Sequence, residues 1–388
     1  MQRSYHPDPQ SDRGITSEPD GGITQAGSAG LDWLRLAALA ALVLYHVACV
    51  YEGDAGGGVR RGALALFRLG YLGTDILLAL AGFLAVGSLA RSGNPSTFLL
   101  RRYLRVLPAL AVFLVAYLYA FPALLGDRVA TLPNYAGLER AREIQGSFWT
   151  LTANFPMVVG ARLGAALEPM LTLGVGAQLT ALVAFLLPKR RRLFWGTLAV
   201  FLVGMALRIH WLHSDDYVPY SFPLSRGDGF LLGAVLASLS RSEPDRVRLF
   251  ALRYWLLGAT SVALAALVVL QKGLPISSPA MKIVGYPLVG AWSACLVLVV
   301  ARLPGCPGFL CLLSRLGRMG FCVYLVKLPV VFLVLAGLSR WARPGVLTLA
   351  LAALSASFAV GAVFHWGLER PVAAGLAHLF RAGKRGIG

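Results

Sequence analysis

Apolar runs of about 18–23 residues recur along almost the whole chain. At 1.5 Å per residue each is long enough to cross a hydrocarbon core about 30 Å thick. Few folds are open to such a chain. In lipid every backbone amide and carbonyl must find its partner within the protein, which leaves helices or closed barrels. Continuous apolar runs, as opposed to alternating ones, select helices. Only 14% of the residues are charged and 57% are hydrophobic, whereas soluble domains carry about 25% charged residues. The expected fold class is therefore all-α, a polytopic membrane protein with about ten transmembrane helices. The spans fall at roughly 30–50, 69–90, 103–121, 169–187, 193–211, 227–240, 251–271, 283–302, 316–338 and 346–368, the sixth being short.

Between the third and fourth spans, 122–168 is the one connection long enough for a small extramembrane element. Residues 1–28 are polar and rich in Gly, Pro and Ser, and read as a disordered tail; 29–371 read as one transmembrane domain and 372–388 as a basic tail. A cleaved signal peptide does not fit, because the first apolar run starts late and is too long. "GDAGGG" at 53–58 lacks the strand and helix of a phosphate loop and reads as a flexible connection. The cysteines, Cys49, Cys295, Cys306, Cys311 and Cys322, are odd in number and lack CxxC spacing. Neither a disulfide framework nor a metal site is expected.

The net charge of +18 is read as basic membrane edges, with no nucleic acid as partner. Lys and Arg concentrate in the tails and even-numbered loops, above all in "LLRRYLR" and "PKRRR". Both termini are therefore expected to be cytoplasmic, and 122–168 to face outward.

Polar groups within spans are costly and mark function by default. The first span, "LDWLRLAALAALVLYHVACV", holds Arg35 and His46. Eleven steps of about 100° bring them to within about 20° of the same face, roughly 16 Å apart along the axis. In the expected orientation Arg35 lies near the cytoplasmic edge and His46 in the outer half. Asp75, early in the second span, lies at about the depth of His46, where a carboxylate can fix the imidazole tautomer and raise its basicity. The plainer roles are a carbonyl bond for His46 and an arginine partner for Asp75. Arg102 and Arg105 share a helix face at the depth of Arg35, and arginine forks suit phosphate; plain anchoring is the alternative. Glu369 is placed to neutralise one of these arginines. Tyr220, Arg226 and Asp228 lie by the outer mouth, where Arg226 and Asp228 can pair with each other. Lys327, in mid-span, needs an acidic or water-lined partner, or must be neutral.

These residues carry a resemblance. "LDWLR" with the Arg35-x10-His46 pair, "GYLGTDILLALAGFL" with Asp75, Gly82 and Phe83, and "FLLRRYLRVLPAL" with Arg102, Arg105 and Pro108 resemble the signature of the acyltransferase-3 family of integral membrane acyltransferases. "LSRGDGFLLGAVLA", "LGRMGFCVYLVKLPVV" and "GLERPV" are similar to its later elements. The resemblance spans 31–371 and is most specific in its first hundred residues. It implies transfer of an acyl group, often acetyl, from acyl-CoA to a hydroxyl of a sugar, glycan or natural product. No bound cofactor is implied, acyl-CoA being a substrate. The expected setting is a bacterial cytoplasmic membrane, with bilayer, acyl-CoA and acceptor as partners. Arg35, Arg102 and Arg105 are then the donor-binding residues. His46 is the base and Asp75 its orienting acid, with Tyr220, Arg226, Asp228, Lys327 and Glu369 as acceptor or support residues.

Some positions depart from the family. Its fourth span reads PxWSLSxExQ, where this chain has "PMLTLGVGAQ": Leu171 replaces Trp, Thr172 and Gly174 stand at the Ser positions, and Gly176–Ala177 where the Glu falls. The late family His is Lys327, and Ala81 replaces the Ser of the second span. These changes imply an unusual acceptor or impaired activity, and keep two competing readings open: a transporter or flippase, and a lipid-binding pseudoenzyme. The topology has its own test. A cysteine substituted at residue 190 should react with a membrane-impermeant maleimide only after the membrane is opened; labelling in intact cells would overturn the assigned sidedness.

Overall fold

The computed structural model describes residues 25–51, 58–126, 137–159, 163, 165–186, 190–213, 217–276, 278–303, 313–341 and 344–376. Among them are no strands. The principal helices are α1 (Gln25–Val50), α2 (Gly58–Arg68), α3 (Leu72–Ser92), α4 (Pro95–Val115), α5 (Glu168–Leu186) and α6 (Arg190–His210). They continue with α7 (Asp228–Leu239), α8 (Glu243–Leu270), α9 (Tyr286–Val300), α10 (Gly320–Leu338) and α11 (Val346–Phe364). Nine helical stretches among the described residues are long and apolar enough to cross a membrane, and Asp228–Leu239 is a shorter tenth. The expected ten spans are thus present, the sixth being short. α1 starts at Gln25, inside the segment read as a tail, and residues 1–24 lie outside the described residues. So do 377–388 and the connection at 53–57. The 122–168 connection contains the short helices Leu138–Glu143, Gln145–Trp149 and Asn154–Val158.

Local chemistry sets several boundaries. Pro95 opens α4, and the Asn94 side chain accepts from Ser96 N (2.9 Å), capping the new helix. α11 runs on into a π-helical turn at His365–Glu369, a geometry common at functional sites.

α1 packs against α3, α10 and α11, while α3, α7 and α9 form a second close group. α3 and α7 approach backbone to backbone. A Cβ on Gly82 would lie 1.9 Å from the Phe230 carbonyl oxygen, and one on Gly233 2.1 Å from that of Ala79. Small residues permit such crossings where lipid supplies no hydrophobic drive between helices. Phe83, Ala79, Phe230, Val297 and Leu80 fill the surrounding core. α8 stands at the rim with Leu264 as its one buried residue.

Two matched substitutions test this packing. Gly233→Ala places a methyl against the Ala79 carbonyl and should destabilise the purified protein by the ~1–3 kcal/mol typical of overpacking. Gly258→Ala in α8, where nothing lies within 4 Å, should be neutral or stabilising. Thermal unfolding in detergent reads both; equal shifts would contradict the close α3–α7 crossing.

Candidate functional site

Two polar clusters sit at opposite ends of one face of α1. At the first, Arg35 Nη1 donates to Asp32 Oδ1 (2.6 Å), and Arg318 Nε, from the turn before α10, donates to Asp32 Oδ2 (2.8 Å). From α4, Arg105 Nε and Nη2 hold Glu369 Oε1 at 2.9 and 2.8 Å. The π turn of α11 brings Glu369 there, and His365 Nδ1 lies 2.8 Å from its other oxygen. Arg102 lies beside Arg35 and Arg105 and has no acidic partner among the described residues. Four arginines thus face two carboxylates, and the side chains of Arg105 and Arg318 are more than half exposed. The excess positive charge opens to the aqueous edge, where an anion can reach it.

The second cluster is built by α1, α5 and α10. His46 is buried, and its Nε2 has no hydrogen-bond partner. Glu168 Oε2, at the start of α5, lies 3.8 Å from that nitrogen, too far for a hydrogen bond but close enough for one after a small shift. Lys327 is also buried, and its Nζ stands 4.2 Å from the Tyr324 ring centroid. Its charge acts on both Glu168 and His46. The carboxylate whose charge acts on this mid-span lysine is Glu168. Tyr324 lies against Thr172 of α5.

Asp75 has a different partner from the one its depth indicated. Arg226 Nη1 and Nη2 reach Asp75 Oδ1 and Oδ2 at 2.5 and 2.8 Å. The same guanidinium lies against the rings of Tyr220 (4.6 Å) and Tyr286 (4.8 Å). Both carboxylate oxygens are thus engaged, and no hydrogen bond joins Asp75 to His46 among the described residues. The physical reason is that a fully buried guanidinium needs a bidentate acid more than an imidazole needs an orienting one. Arg226 and Asp228 likewise do not pair with each other. Two residues apart on a helical path they point to different sides, and Asp228 bonds Arg208 of α6, which also donates to the Ser225 carbonyl (2.8 Å). Tyr220 and Asp75 remain part of the His46 end through their shared electrostatic contact with Arg226 and, for Tyr220, with Glu168.

Glu168 is the residue that sequence reasoning missed. It stands just before Pro169, outside the apolar window, where a carboxylate reads as an ordinary first-turn residue. Its signal was its depth, the same as that of His46. The fourth-span departures also acquire a physical reason. A Cβ on Gly174 would lie 2.7 Å from Asn154 Oδ1, and Gln178 Nε2 donates to that same oxygen (2.8 Å) and to the Leu151 carbonyl (3.2 Å). Gly174 makes room for the buried Asn154, which ties the 137–159 segment to α5.

Cys322, His365 and Glu369 bring three metal-type ligand atoms within 4.8 Å of one another. Their atoms already bond to each other, with Cys322 Sγ 3.4 Å from Glu369 Oε2, and Arg105 holds the other Glu369 oxygen. A metal cation there would meet the arginine cluster, so the set is better satisfied as a hydrogen-bond network.

The chain as a whole can now be compared with known proteins. A model of the acyltransferase-domain family, acyltransferase 3, matches residues 28–366. The chain belongs to the acyltransferase-3 family. No curated protein matches it, and no solved structure does. The matched region takes in both clusters, from Arg35 to His365, and stops three residues short of Glu369. This is a multi-pass membrane acyltransferase.

Proposed function

We propose that this acyltransferase moves an acyl group from acyl-CoA to a hydroxyl of a sugar, glycan or natural product. The single observation carrying the reading is His46 Nε2, buried without a partner and 3.8 Å from the Glu168 carboxylate. A hydroxyl acceptor entering that gap gives its proton to His46 as it attacks the thioester carbonyl. The C–S bond breaks, the new ester forms, and the coenzyme A thiolate leaves with the proton. His is the side chain whose ordinary pKa best fits this exchange near neutral pH. Glu168 takes the electrostatic part that depth alone assigned to Asp75: its charge, 3.8 Å from Nε2, stabilises the charged form of the imidazole. Lys327 stands where the family has its late His, and its charge acts on Glu168.

At the other end, Arg102 is the primary anchor for the phosphates of the donor, with Arg35 and Arg105 beside it. Asp32 and Glu369 hold the forks of those two in place. Roughly 16 Å along α1 separates the donor's anionic end from the base, and the acyl arm has to pass Leu39 and Leu42, which are packed against Met319, Val323 and Tyr324. Asp75, Arg226 and Tyr220 frame the His46 end, and Asp228 braces it through Arg208. We assign the arginine end to the cytoplasmic side of a bacterial membrane, where acyl-CoA is made; the Lys and Arg distribution supports this sidedness.

The test is turnover per folded molecule, read as coenzyme A thiol released from acetyl-CoA by detergent-purified protein supplied with extracts of its own cells as the acceptor source. His46→Gln keeps hydrogen bonding but takes no proton, and should lower turnover by about 10²–10⁴-fold. Glu168→Gln should lower it too, by a smaller factor, with donor affinity unchanged. Asp75→Asn strands the Arg226 charge and should reduce folded yield more than turnover per folded molecule. Near-normal turnover in His46→Gln would remove His46 from the chemistry.

A further inference from the structure

α6 and α7 run antiparallel, and their lipid-facing side is hollowed. Two adjoining hollows share Phe194 and Val235, with volumes of about 470 Å³ and 200 Å³. The larger opens at the arginine end of the bundle, between Arg191 and Ser238. The smaller continues past Leu198 and Leu231 to Asp228. From Arg191 to Phe201, α6 rises roughly 15 Å, so the pair forms one continuous slot along the helix.

Three features say what fills it. α7 has 12 residues, about 18 Å of helix, and does not by itself fill a 30 Å hydrocarbon layer. The slot is walled by apolar side chains, and the adjoining face of α6 is apolar and exposed at Trp195 and Leu202. Lipid is therefore the medium against it. At its mouth Arg191 is exposed, as is Arg192 next to it in the chain, and neither has an ion-pair partner among the described residues. Basic sites between transmembrane helices are where anionic headgroups dock.

We infer that the α6–α7 slot is a docking site for an anionic phospholipid, with its phosphate on Arg191, Arg192 beside it, and the upper part of one acyl chain reaching toward Asp228. The assignment stands independently of the acyl-transfer reading. It makes a bilayer lipid a structural part of the wall behind the Arg208–Asp228 pair.

The experiment uses the full chain in phosphatidylcholine nanodiscs containing a small fraction of a diazirine-chain lipid, either phosphatidylglycerol or phosphatidylcholine, with crosslinks mapped by peptide mass. The phosphatidylglycerol probe should label Phe194–Phe201 and Leu231–Val235 in preference to the rim helix α8, and more strongly than the phosphatidylcholine probe. Arg191→Ala and Arg192→Ala, on the surface and neutral for folding, should each reduce that preference by about fivefold. Val235→Trp fills the slot and should remove its labelling by either probe while α8 labelling persists. Equal labelling by the two lipids, or slot labelling no greater than that of α8, would overturn the proposal. Labelling indifferent to headgroup charge, together with loss of acyl transfer in Val235→Trp, would also overturn it, and would make the slot the entry for a lipid-borne acceptor.

Discussion

A charge inside a bilayer must be matched, and the match between Arg226 and Asp75 organises much of the bundle. A two-point guanidinium–carboxylate bond, with two aromatic rings against the guanidinium, satisfies groups that would otherwise cost several kcal/mol to bury. It ties α3 to the entry of α7 and so fixes where the Gly82–Gly233 crossing can form. Asp228, two residues further on, then meets Arg208 and draws in α6. Because Asp75 is committed there, it is not available to His46, and the carboxylate beside the imidazole comes from α5 instead.

The sequence made the spans legible because lipid imposes one rule on every segment, and length and composition suffice to apply it. Depth was legible too: counting residues from a span's edge placed Asp75 and His46 in one half of the bundle, Arg35, Arg102 and Arg105 in the other, and Lys327 in mid-span. Azimuth and neighbour order were not. Asp75 and His46 share a depth, yet α3 turns the aspartate toward α7, and no local pattern encodes that rotation. Glu168 escaped for a different reason, since a window that rewards hydrophobicity trims an acidic residue from the end of a span. Lys327 announced its need for an acidic partner without naming it. Glu369 was legible as a neutralising acid, and it is the π turn that selects Arg105.

The departures from the family pattern look like losses one at a time and like a coordinated set in three dimensions. Gly174 gives space to Asn154. Lys327 in place of histidine brings a positive charge, and Glu168 supplies the negative one. The region around His46 therefore holds an imidazole, a carboxylate and a cation, arranged differently along the chain. That argues for an active site adapted to its own acceptor, and against a bare scaffold that has lost its chemistry.

The central claim is a division of labour along one face of α1: the arginine end holds the donor and the His46 end performs the transfer. Equilibrium binding of a non-hydrolysable acyl-CoA analogue to the purified protein tests it most directly. Arg102→Ala should weaken binding about tenfold, the scale of one lost charge-assisted hydrogen bond, and His46→Gln should leave it unchanged. Unaltered affinity in Arg102→Ala, or a large loss in His46→Gln, would contradict the division and the site built on it.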